Sequence, residues 1–261
     1  MNAKNILLYA CVIFIISGYL YLAITPKKAP VKPQKPLSIG LCIMATGKYI
    51  HFANQLIRSA EYYFLPGHRR TFFVFTDQID ALEKNSHIVP IFQKRLGWPY
   101  DTIMRCAVYQ KHKELFTSMN YLFACDADML FVDFVGEEIL SDLVGTLHPG
   151  FTYRRGTYEN NSQSKAYVGT GEGKYYFAGG FYGGSRERFI AMNDSLTSSI
   201  DQDLKKNIVA MWHDESHLNR YFIDHKPTRI LDTSYCYFEG RSLPTPPRLV
   251  ALYKNKTYWR S

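Results

Sequence analysis

Two aspartates, Asp126 and Asp128, stand where an apolar run of the chain ends. The run, Tyr121 to Cys125, has the length of a strand that is buried on both faces. Because side chains alternate along an extended backbone, we expect both carboxylates to point to one side and to reach one ion. Paired carboxylates suit a hard divalent cation. An Asp-x-Asp pair is more often a turn or a helix start, so this interpretation depends on the buried context.

A second acidic pair, Asp214 and Glu215, follows Trp212 and His213. The pattern predicts that Asp214 caps a helix running on through Phe222, with Glu215 in its first turn. Taken alone, both acids are favourable charges at the start of a helix. Any chemical role for them needs further support.

The elements that position these residues alternate between strand and helix. Apolar runs predict strands at residues 37–44, 71–77, 87–92 and 121–125. Helical spacing from Ala53 ends at Pro66-Gly67, and a second helix is predicted over residues 102–119. This alternation predicts a doubly wound, Rossmann-like α/β sheet, whose ligands bind at the carboxyl ends of the strands.

The second half of the body mixes helices with a glycine-rich strand. Residues 174–185 contain four glycines among aromatics, which lets a strand's backbone approach a bulky ligand closely. Amphipathic spacing predicts helices over residues 136–144, 185–200 and 201–210, before the one that begins at residue 214.

Composition excludes several classes of protein. The 261 residues are 46% hydrophobic, which is ample for a packed core. The formal net charge is +8, but the basic residues are scattered and match no nucleic-acid-binding motif, so we expect no nucleic acid partner. A positive balance also suits an anionic ligand such as a nucleotide diphosphate. The five cysteines lack paired spacing, and Cys42 and Cys125 fall in predicted core strands.

The N-terminus predicts a membrane anchor. Residues 1–5 form a short tail, residues 6–25 an uncharged apolar run of spanning length, and residues 26–36 a stem rich in proline and lysine. No small-x-small cleavage pattern follows the run, which favours an uncleaved signal anchor. Four lysines follow the run and only Lys4 precedes it, a bias that favours a cytoplasmic body over residues 37–261.

Four separated pieces agree in order and spacing: Asp126-Ala-Asp128, Leu147-His-Pro-Gly-Phe151, Tyr176-Phe-Ala-Gly-Gly-Phe-Tyr-Gly-Gly184 and Trp212-His-Asp-Glu-Ser-His-Leu-Asn219. With Pro66-Gly-His-Arg69 and Val74-Phe-Thr-Asp77, they closely resemble glycosyltransferase family 6, the histo-blood-group A and B transferases and α-1,3-galactosyltransferases. The resemblance covers almost all of the body. It implies a catalytic domain of the GT-A type that transfers N-acetylgalactosamine or galactose from a UDP-sugar, with retention, to a β-galactosyl-terminated glycan.

The resemblance also implies the chemistry of both acidic pairs. Asp126 and Asp128 match the family's metal-binding aspartates, which would hold Mn²⁺, or alternatively Mg²⁺, against the donor diphosphate. Glu215 matches the catalytic position and Asp214 a contact to donor-sugar hydroxyls. Glu215 would either attack the anomeric carbon or stabilise an oxocarbenium-like state, and the sequence does not choose between them.

Further residues match the family's donor and acceptor contacts. His148 and Trp212, with Glu215, match acceptor contacts, and an apolar indole face suits a sugar ring. For Met44 and Ala45, a structural role is an equal alternative. The matches to donor contacts are Met44, Ala45, Thr46 and Tyr49 for uridine, Arg105 for the diphosphate and donor sugar, and Lys254 and Arg260 in a mobile C-terminal tail that closes over UDP.

Donor choice is implied by Ala178, Gly179 and Gly180, which match the triplet that separates the two donor sugars. Gly180 lacks a side chain that would crowd an acetamido group, which favours UDP-GalNAc over UDP-Gal. Ala178 differs from the Leu and the Met of the blood-group A and B enzymes.

The cellular location and the function of the protein each have alternatives. The resemblance implies a single-pass type II Golgi protein with a lumenal catalytic domain acting on a glycolipid or glycoprotein, whereas the lysine bias fits a bacterial inner-membrane enzyme with a cytoplasmic catalytic domain. The oligomeric state is not determined by the sequence. A non-catalytic carbohydrate-binding protein and a metal-dependent UDP-sugar hydrolase are the rival functions.

Overall fold

The computed structural model describes residues 35–254, which form a large sheet, a small sheet and the helices that cover them. The strands are β1 (Ser38–Met44), β2 (Arg69–Thr76), β3 (Ile88–Phe92), β4 (Tyr121–Asp126), β5 (Met129–Phe131), β6 (Leu143–Leu147), β7 (Phe177–Ser185), β8 (Arg229–Leu231), β9 (Tyr237–Phe238) and β10 (Leu249–Ala251). The α-helices are α1 (Ile50–Tyr63), α2 (Tyr100–Ile103), α3 (Arg105–Lys111), α4 (Arg186–Leu204) and α5 (Asp214–Asp224). Short 3₁₀ helices cover Gly47–Tyr49, Ile79–Ala81, Lys113–Phe116, Glu137–Ile139 and Thr233–Cys236.

The large sheet has the strand order β3-β2-β1-β4-β7-β6-β8. Among these seven strands, β7 runs antiparallel to its neighbours and the others are parallel to one another. The order reverses between β1 and β4, where Met44 is paired with Asp126 at the carboxyl ends. Ligands of open α/β sheets bind at such a reversal. The predicted α/β architecture, with a central and mostly parallel sheet, is confirmed and fits a GT-A-type fold.

Helices cover both faces of this sheet. On one face, α1 buries its apolar side, including Leu56 and Ile57, against a cluster of aromatic residues that contains Phe123 and Phe181. On the other face, α3, α4 and α5 pack around Tyr109 and other aromatics. The buried thiols of Cys42 and Cys125 lie in these cores, as the sequence predicted. Hydrophobic burial on two faces therefore fixes the sheet between its helices.

The predicted helix over residues 136–144 is wrong. Glu137–Ile139 forms a 3₁₀ turn, and the chain is extended from Leu143 in β6. That strand lies between β7 and β8 and pairs with both. Backbone pairing with two strands distant in sequence overrides the local helical spacing.

Two other helix predictions had the wrong extent. The helix predicted over residues 102–119 is divided at Met104, and α3 ends at Lys111. The helices predicted over residues 185–200 and 201–210 are the single helix α4. Asn207 has a φ of 57° after this helix, and Ile208 N–H donates to the Asp203 carbonyl, which ends it in a left-handed turn.

The small sheet brings the end of the described chain to the carboxyl end of β4. Its order is β5-β10-β9, and Leu252 N–H donates to the Asp128 carbonyl. Within residues 35–254, no helix combines the length and the apolarity that a membrane span needs. The predicted anchor at residues 6–25, residues 26–34 of the stem, and Arg260 lie outside the described residues.

Candidate active site

The two aspartates share a cleft for a reason that differs from the prediction. Strand β4 ends at Asp126, and residues 127–128 turn into β5. The prediction that Asp126 and Asp128 point to one side of a single extended strand is therefore wrong. The turn itself directs both carboxylates into the cleft, where Asp126 and Asp128 line the same cavities.

Arg105 connects both acidic pairs. It is buried, and its Nη1 donates to Asp126 Oδ1 at 2.6 Å and to the Gly179 carbonyl at 3.3 Å. Its Nε lies 2.7 Å from Asp214 Oδ2. Burial raises the pKa of Asp214 to about 6, although Arg105 opposes the shift. Because a buried charge without its partner is costly, these ion pairs hold three elements in one arrangement.

Lys254 forms an ion pair with Asp128 at the end of the described chain. Asp128 is buried, and its burial raises the pKa of the carboxyl group, an effect that Lys254 opposes and Asp126 reinforces. The Lys254 ammonium also lies 5.1 Å from the centre of the Tyr49 ring. The two aspartates are therefore each in contact with a cationic side chain.

Glu215 is held by two hydrogen bonds. The Tyr176 hydroxyl donates to Oε1 at 2.9 Å, and Gly179 N–H donates to Oε2 at 2.8 Å. Burial raises the pKa of Glu215 to about 7, while both donors oppose the shift. As predicted, Glu215 lies in the first turn of α5. The predicted capping role of Asp214 is wrong, because His213 occupies that position and Asp214 pairs with Arg105.

Two cavities meet at these carboxylates. The first has a volume of about 420 Å³ and the second about 450 Å³, and both are lined by Asp126, Asp128, Glu215 and Lys254. Of the predicted site residues, Met44, Thr46, Tyr49, Arg105, Gly179, Trp212 and Asp214 line the first cavity, and His148, Ala178 and Gly180 line the second. Ala45 lines neither, because it is fully buried in the core.

His148 is surrounded by aromatic rings. Its ring centre lies 4.9 Å from that of Phe151, 5.7 Å from Tyr176 and 5.6 Å from Phe238. Its Nδ1 accepts a hydrogen bond from Gly150 N–H at 3.0 Å. Burial lowers the pKa of His148 to about 4, so the imidazole is neutral at pH 7 and its Nε2 carries the proton.

Known proteins similar to this chain are glycosyltransferases. The sequence profile described as "Glycosyltransferase family 6" matches residues 27–259. The chain belongs to glycosyltransferase family 6. It is 36% identical over 233 residues to "Histo-blood group ABO system transferase 1" of Rattus norvegicus, covering 84% of this chain and 67% of that protein. It is 32% identical over 240 residues to "Globoside alpha-1,3-N-acetylgalactosaminyltransferase 1" of Mus musculus, covering 86% and 69%. The protein is therefore a hexosyltransferase.

The family 6 transferase exposes an indole face in its first cavity. Trp212 is 47% exposed, and its Nε1 donates to Thr157 Oγ1 at 2.8 Å. Its backbone N–H donates to Ser216 Oγ at 3.0 Å. Both ends of the residue are fixed, so its ring offers a prepared apolar surface of the kind that sugars contact.

Several residues of the transferase's site were not predicted. Trp98 is 43% exposed in the first cavity, and Phe238 and Arg241 line the second. These three lie in loops or a two-residue strand, and no spacing in the sequence connects them to the acidic pairs. Tyr176, which binds Glu215, belongs to a motif that the sequence comparison used, but its partner lies 39 residues away.

The oxygen atoms of the transferase's cleft fit a divalent cation that a ligand helps to bind. The first cavity is lined by five acidic side chains and three basic ones: Asp101, Asp126, Asp128, Asp214 and Glu215, with Arg95, Arg105 and Lys254. Across residues 35–254, no group of three or more His, Cys, Asp or Glu side chains is arranged to hold a metal ion. A hard cation at Asp126 and Asp128 would need further oxygen ligands, such as those of a bound diphosphate.

Proposed function

We propose that this transferase moves N-acetylgalactosamine or galactose from a UDP-sugar, in α-1,3 linkage and with retention, to a β-galactosyl-terminated glycan. The observation that carries the proposal is the meeting of two cavities at Glu215. In this assignment the first cavity takes the nucleotide, and the transferred sugar and the acceptor lie beside Glu215, where Asp214 and Trp212 reach them from the first cavity and His148 from the second. The names of the similar proteins support the reaction class and the linkage.

The first cavity has the residues that a UDP-sugar requires. Met44, Thr46 and Tyr49 would contact uridine at the carboxyl end of β1, where the strand order reverses. Arg105 and Lys254 would place positive charge near the diphosphate, with Arg260 joining them from the tail. Residues 255–261 lie outside the described part of the chain, so the proposed closure of the tail stays a prediction.

Asp126 and Asp128 would hold Mn²⁺, or alternatively Mg²⁺, in this reaction. The cation would neutralise the charge that develops on the UDP leaving group. Lys254 already provides Asp128 with one positive partner, so cation binding requires the lysine to move from that carboxylate. A lysine released in this way can contact the diphosphate instead.

Glu215 would manage the positive charge that develops on the donor sugar. Its two hydrogen bonds fix both oxygen atoms, so the carboxylate keeps its orientation as the reaction proceeds. In its ionised form it can form a covalent intermediate, or it can stabilise an oxocarbenium-like state while the acceptor attacks from the leaving-group side. Asp214 would bind donor-sugar hydroxyls next to it.

Gly180 supports N-acetylgalactosamine as the transferred sugar. A Cβ atom at Gly180 would lie 3.6 Å from Met129 Sδ and 3.7 Å from Asp126 Oδ2, so the glycine leaves space beside the metal-site carboxylate. Ala178 also presents a small side chain to the second cavity. An acetamido group fits this space better than it would fit the same space filled by a larger side chain.

His148 and Trp212 would position the acceptor glycan, carried by a glycolipid or a glycoprotein. A neutral His148 can donate one hydrogen bond to a sugar hydroxyl, and Trp212 can stack on a sugar ring.

A Golgi location with a lumenal catalytic domain remains part of this proposal, with residues 6–25 as its anchor. The bacterial inner-membrane alternative predicts the opposite orientation.

UDP release from UDP-GalNAc and UDP-Gal, with and without a β-galactosyl acceptor, tests the function. Transfer predicts release that the acceptor stimulates and a product with the α anomeric configuration. UDP release at the same rate with and without the acceptor would indicate a hydrolase. Absence of UDP release would contradict catalysis. Glu215→Gln should slow transfer by at least about 100-fold while UDP binding changes little. Equal losses in both would shift Glu215 to a binding role.

A further inference from the structure

Two arginines contact aromatic rings that pack on His148. The Arg241 guanidinium lies 5.3 Å from the centre of the Phe238 ring, and the Arg154 guanidinium lies 5.0 Å from that of Phe151. Both rings contact the His148 ring, at 5.6 Å and 4.9 Å between centres. We call these five residues the arginine–aromatic cluster. It brings two permanent positive charges to the proposed acceptor site.

Neither arginine of the cluster has a carboxylate partner within residues 35–254. The remaining 41 residues, 1–34 and 255–261, contain no Asp or Glu side chain. Other arginines of the transferase are paired with acids: Arg58, Arg70, Arg105, Arg186, Arg220 and Arg248. Arg69, Arg155, Arg188 and Arg229 are also exposed and have no acidic partner among residues 35–254, so Arg241 and Arg154 are distinguished by their contact with the rings around His148. Both charges help to lower the pKa of His148, after its burial.

Three of the five cluster residues line the second cavity, and the other two lie in the loop of His148. Arg241 and Phe238 line this cavity together with His148 and Glu215. Arg154 Nε donates to the Gly150 carbonyl at 3.0 Å, which anchors it to the loop of His148. Glu239 also lines the cavity, but its Oε2 accepts from Tyr253 N–H. Arg241 thus lies in the cavity against Phe238, and Arg154 lies in the loop beside it. The terminal nitrogen atoms of both guanidinium groups are available to an acceptor.

Resting on the proposed function, we propose that the acceptor is an acidic glycan. Its terminal galactose would lie beside Glu215, and a carboxylate, sulfate or phosphate on a neighbouring sugar would bind Arg241 and Arg154. The planar guanidinium group matches these oxyanions with paired hydrogen bonds. Stacking on Phe238 and Phe151 reduces the freedom that each arginine loses on binding. With a neutral acceptor, neither guanidinium group would have an anionic partner.

Matched acceptors test the proposal. We would measure transfer to a neutral β-galactosyl disaccharide and to the same disaccharide with a carboxylate, a sulfate or a phosphate on the sugar that carries the galactose. The expected result is a kcat/KM about tenfold or more higher for at least one acidic acceptor, through a lower KM. The preference should shrink when NaCl is raised from about 20 to 500 mM, because salt screens exposed charges. Equal use of neutral and acidic acceptors at low salt would overturn the proposal.

Single substitutions assign the effect to the cluster. Arg241→Gln and Arg154→Gln should each lower the ratio of acidic to neutral kcat/KM by about fivefold or more. Arg188→Gln is the matched control, because it removes an exposed charge just beyond Ser185, which pairs with Tyr121 at the opposite end of β4. The control should keep the wild-type ratio. Loss of the ratio in all three variants would indicate general electrostatic attraction and would overturn the assigned site.

Binding without the donor separates this proposal from the function on which it rests. Titration of the full protein with each disaccharide, in the absence of any UDP-sugar, should show tighter binding of an acidic form, and Arg241→Gln should remove the difference. Such binding without any transfer would contradict the proposed function and leave the acidic subsite intact. Transfer to the neutral disaccharide without acidic preference in either assay would overturn the subsite alone.

Discussion

At the scale of single residues, the environment of Glu215 sets its protonation. Burial raises its pKa to about 7, whereas Gly179 N–H and the Tyr176 hydroxyl stabilise the ionised form. The group is thus partly protonated at neutral pH. Either proposed role at the sugar requires the carboxylate, so protonation should stop the reaction.

We predict that kcat/KM rises with pH through about 7, because this constant reports groups of the free enzyme. Tyr176→Phe should move the midpoint to higher pH, since it removes a donor that lowers the pKa of Glu215. Tyr235→Phe is a control that removes the hydroxyl of a tyrosine bound to Glu138 instead. The measurement is a pH–rate profile for the three proteins, and an unchanged midpoint in Tyr176→Phe would contradict the assignment.

At the scale of elements, buried carboxylates attach the polar segment 156–176 to α4 and to the turn before α5. Asp203 on α4 accepts from Ser164 Oγ at 2.5 Å and from Lys165 N–H at 2.7 Å. Glu159 accepts from Met211 N–H at 2.6 Å, next to Trp212. The segment also contains Thr157, the hydrogen-bond partner of the indole. These bonds fix the loop on which the proposed acceptor surface depends.

Asp203→Ala should lower the free energy of unfolding by about 1–3 kcal/mol, because the buried Ser164 hydroxyl and the Lys165 N–H lose their acceptor. It should also raise KM for the acceptor more than KM for the UDP-sugar, since the loosened segment carries Thr157. Chemical denaturation and steady-state kinetics provide the two measurements. Gln202→Ala, an exposed neighbour on the same helix, is the control. A larger effect on the UDP-sugar than on the acceptor would contradict the proposed acceptor role of Trp212.

Glycines of β7 differ in what a methyl group would meet. At Gly183, a Cβ atom would lie 2.3 Å from the Leu122 carbonyl, so Gly183→Ala should force β4 and β7 apart and destabilise the fold by about 3 kcal/mol or more. At Gly180 the nearest atom is 3.6 Å away, so Gly180→Ala should fold normally. The same variant should lower use of UDP-GalNAc relative to UDP-Gal. Thermal melting and a donor competition assay check both expectations, and a normal melt for Gly183→Ala would contradict the first.

At the scale of the whole molecule, ligand binding should raise the free energy of unfolding and Tm. A ligand at about 100 times its Kd adds about 2.7 kcal/mol, which corresponds to roughly 5–11 °C in Tm for a domain of this size. We predict that UDP with Mn²⁺ raises Tm more than the sum of the separate additions, because in the proposed metal site the diphosphate would complete the ligands that Asp126 and Asp128 begin. Asp128→Asn should remove this excess. An additive response in the wild-type protein would contradict the shared site.

The sequence by itself determined the strands β1 to β4, the helix α1, the position of Glu215 in a first helical turn, and the family. These features depend on local apolar spacing or on motifs of contiguous residues, which a single chain displays directly. Only the tertiary structure decided that residues 143–147 form a strand, that a turn brings Asp126 and Asp128 together, and that Arg105, Tyr176 and Lys254 contact the acidic pairs. Those contacts join residues 21 to 126 positions apart, and buried ion pairs and sheet pairing between distant segments outweigh local preferences.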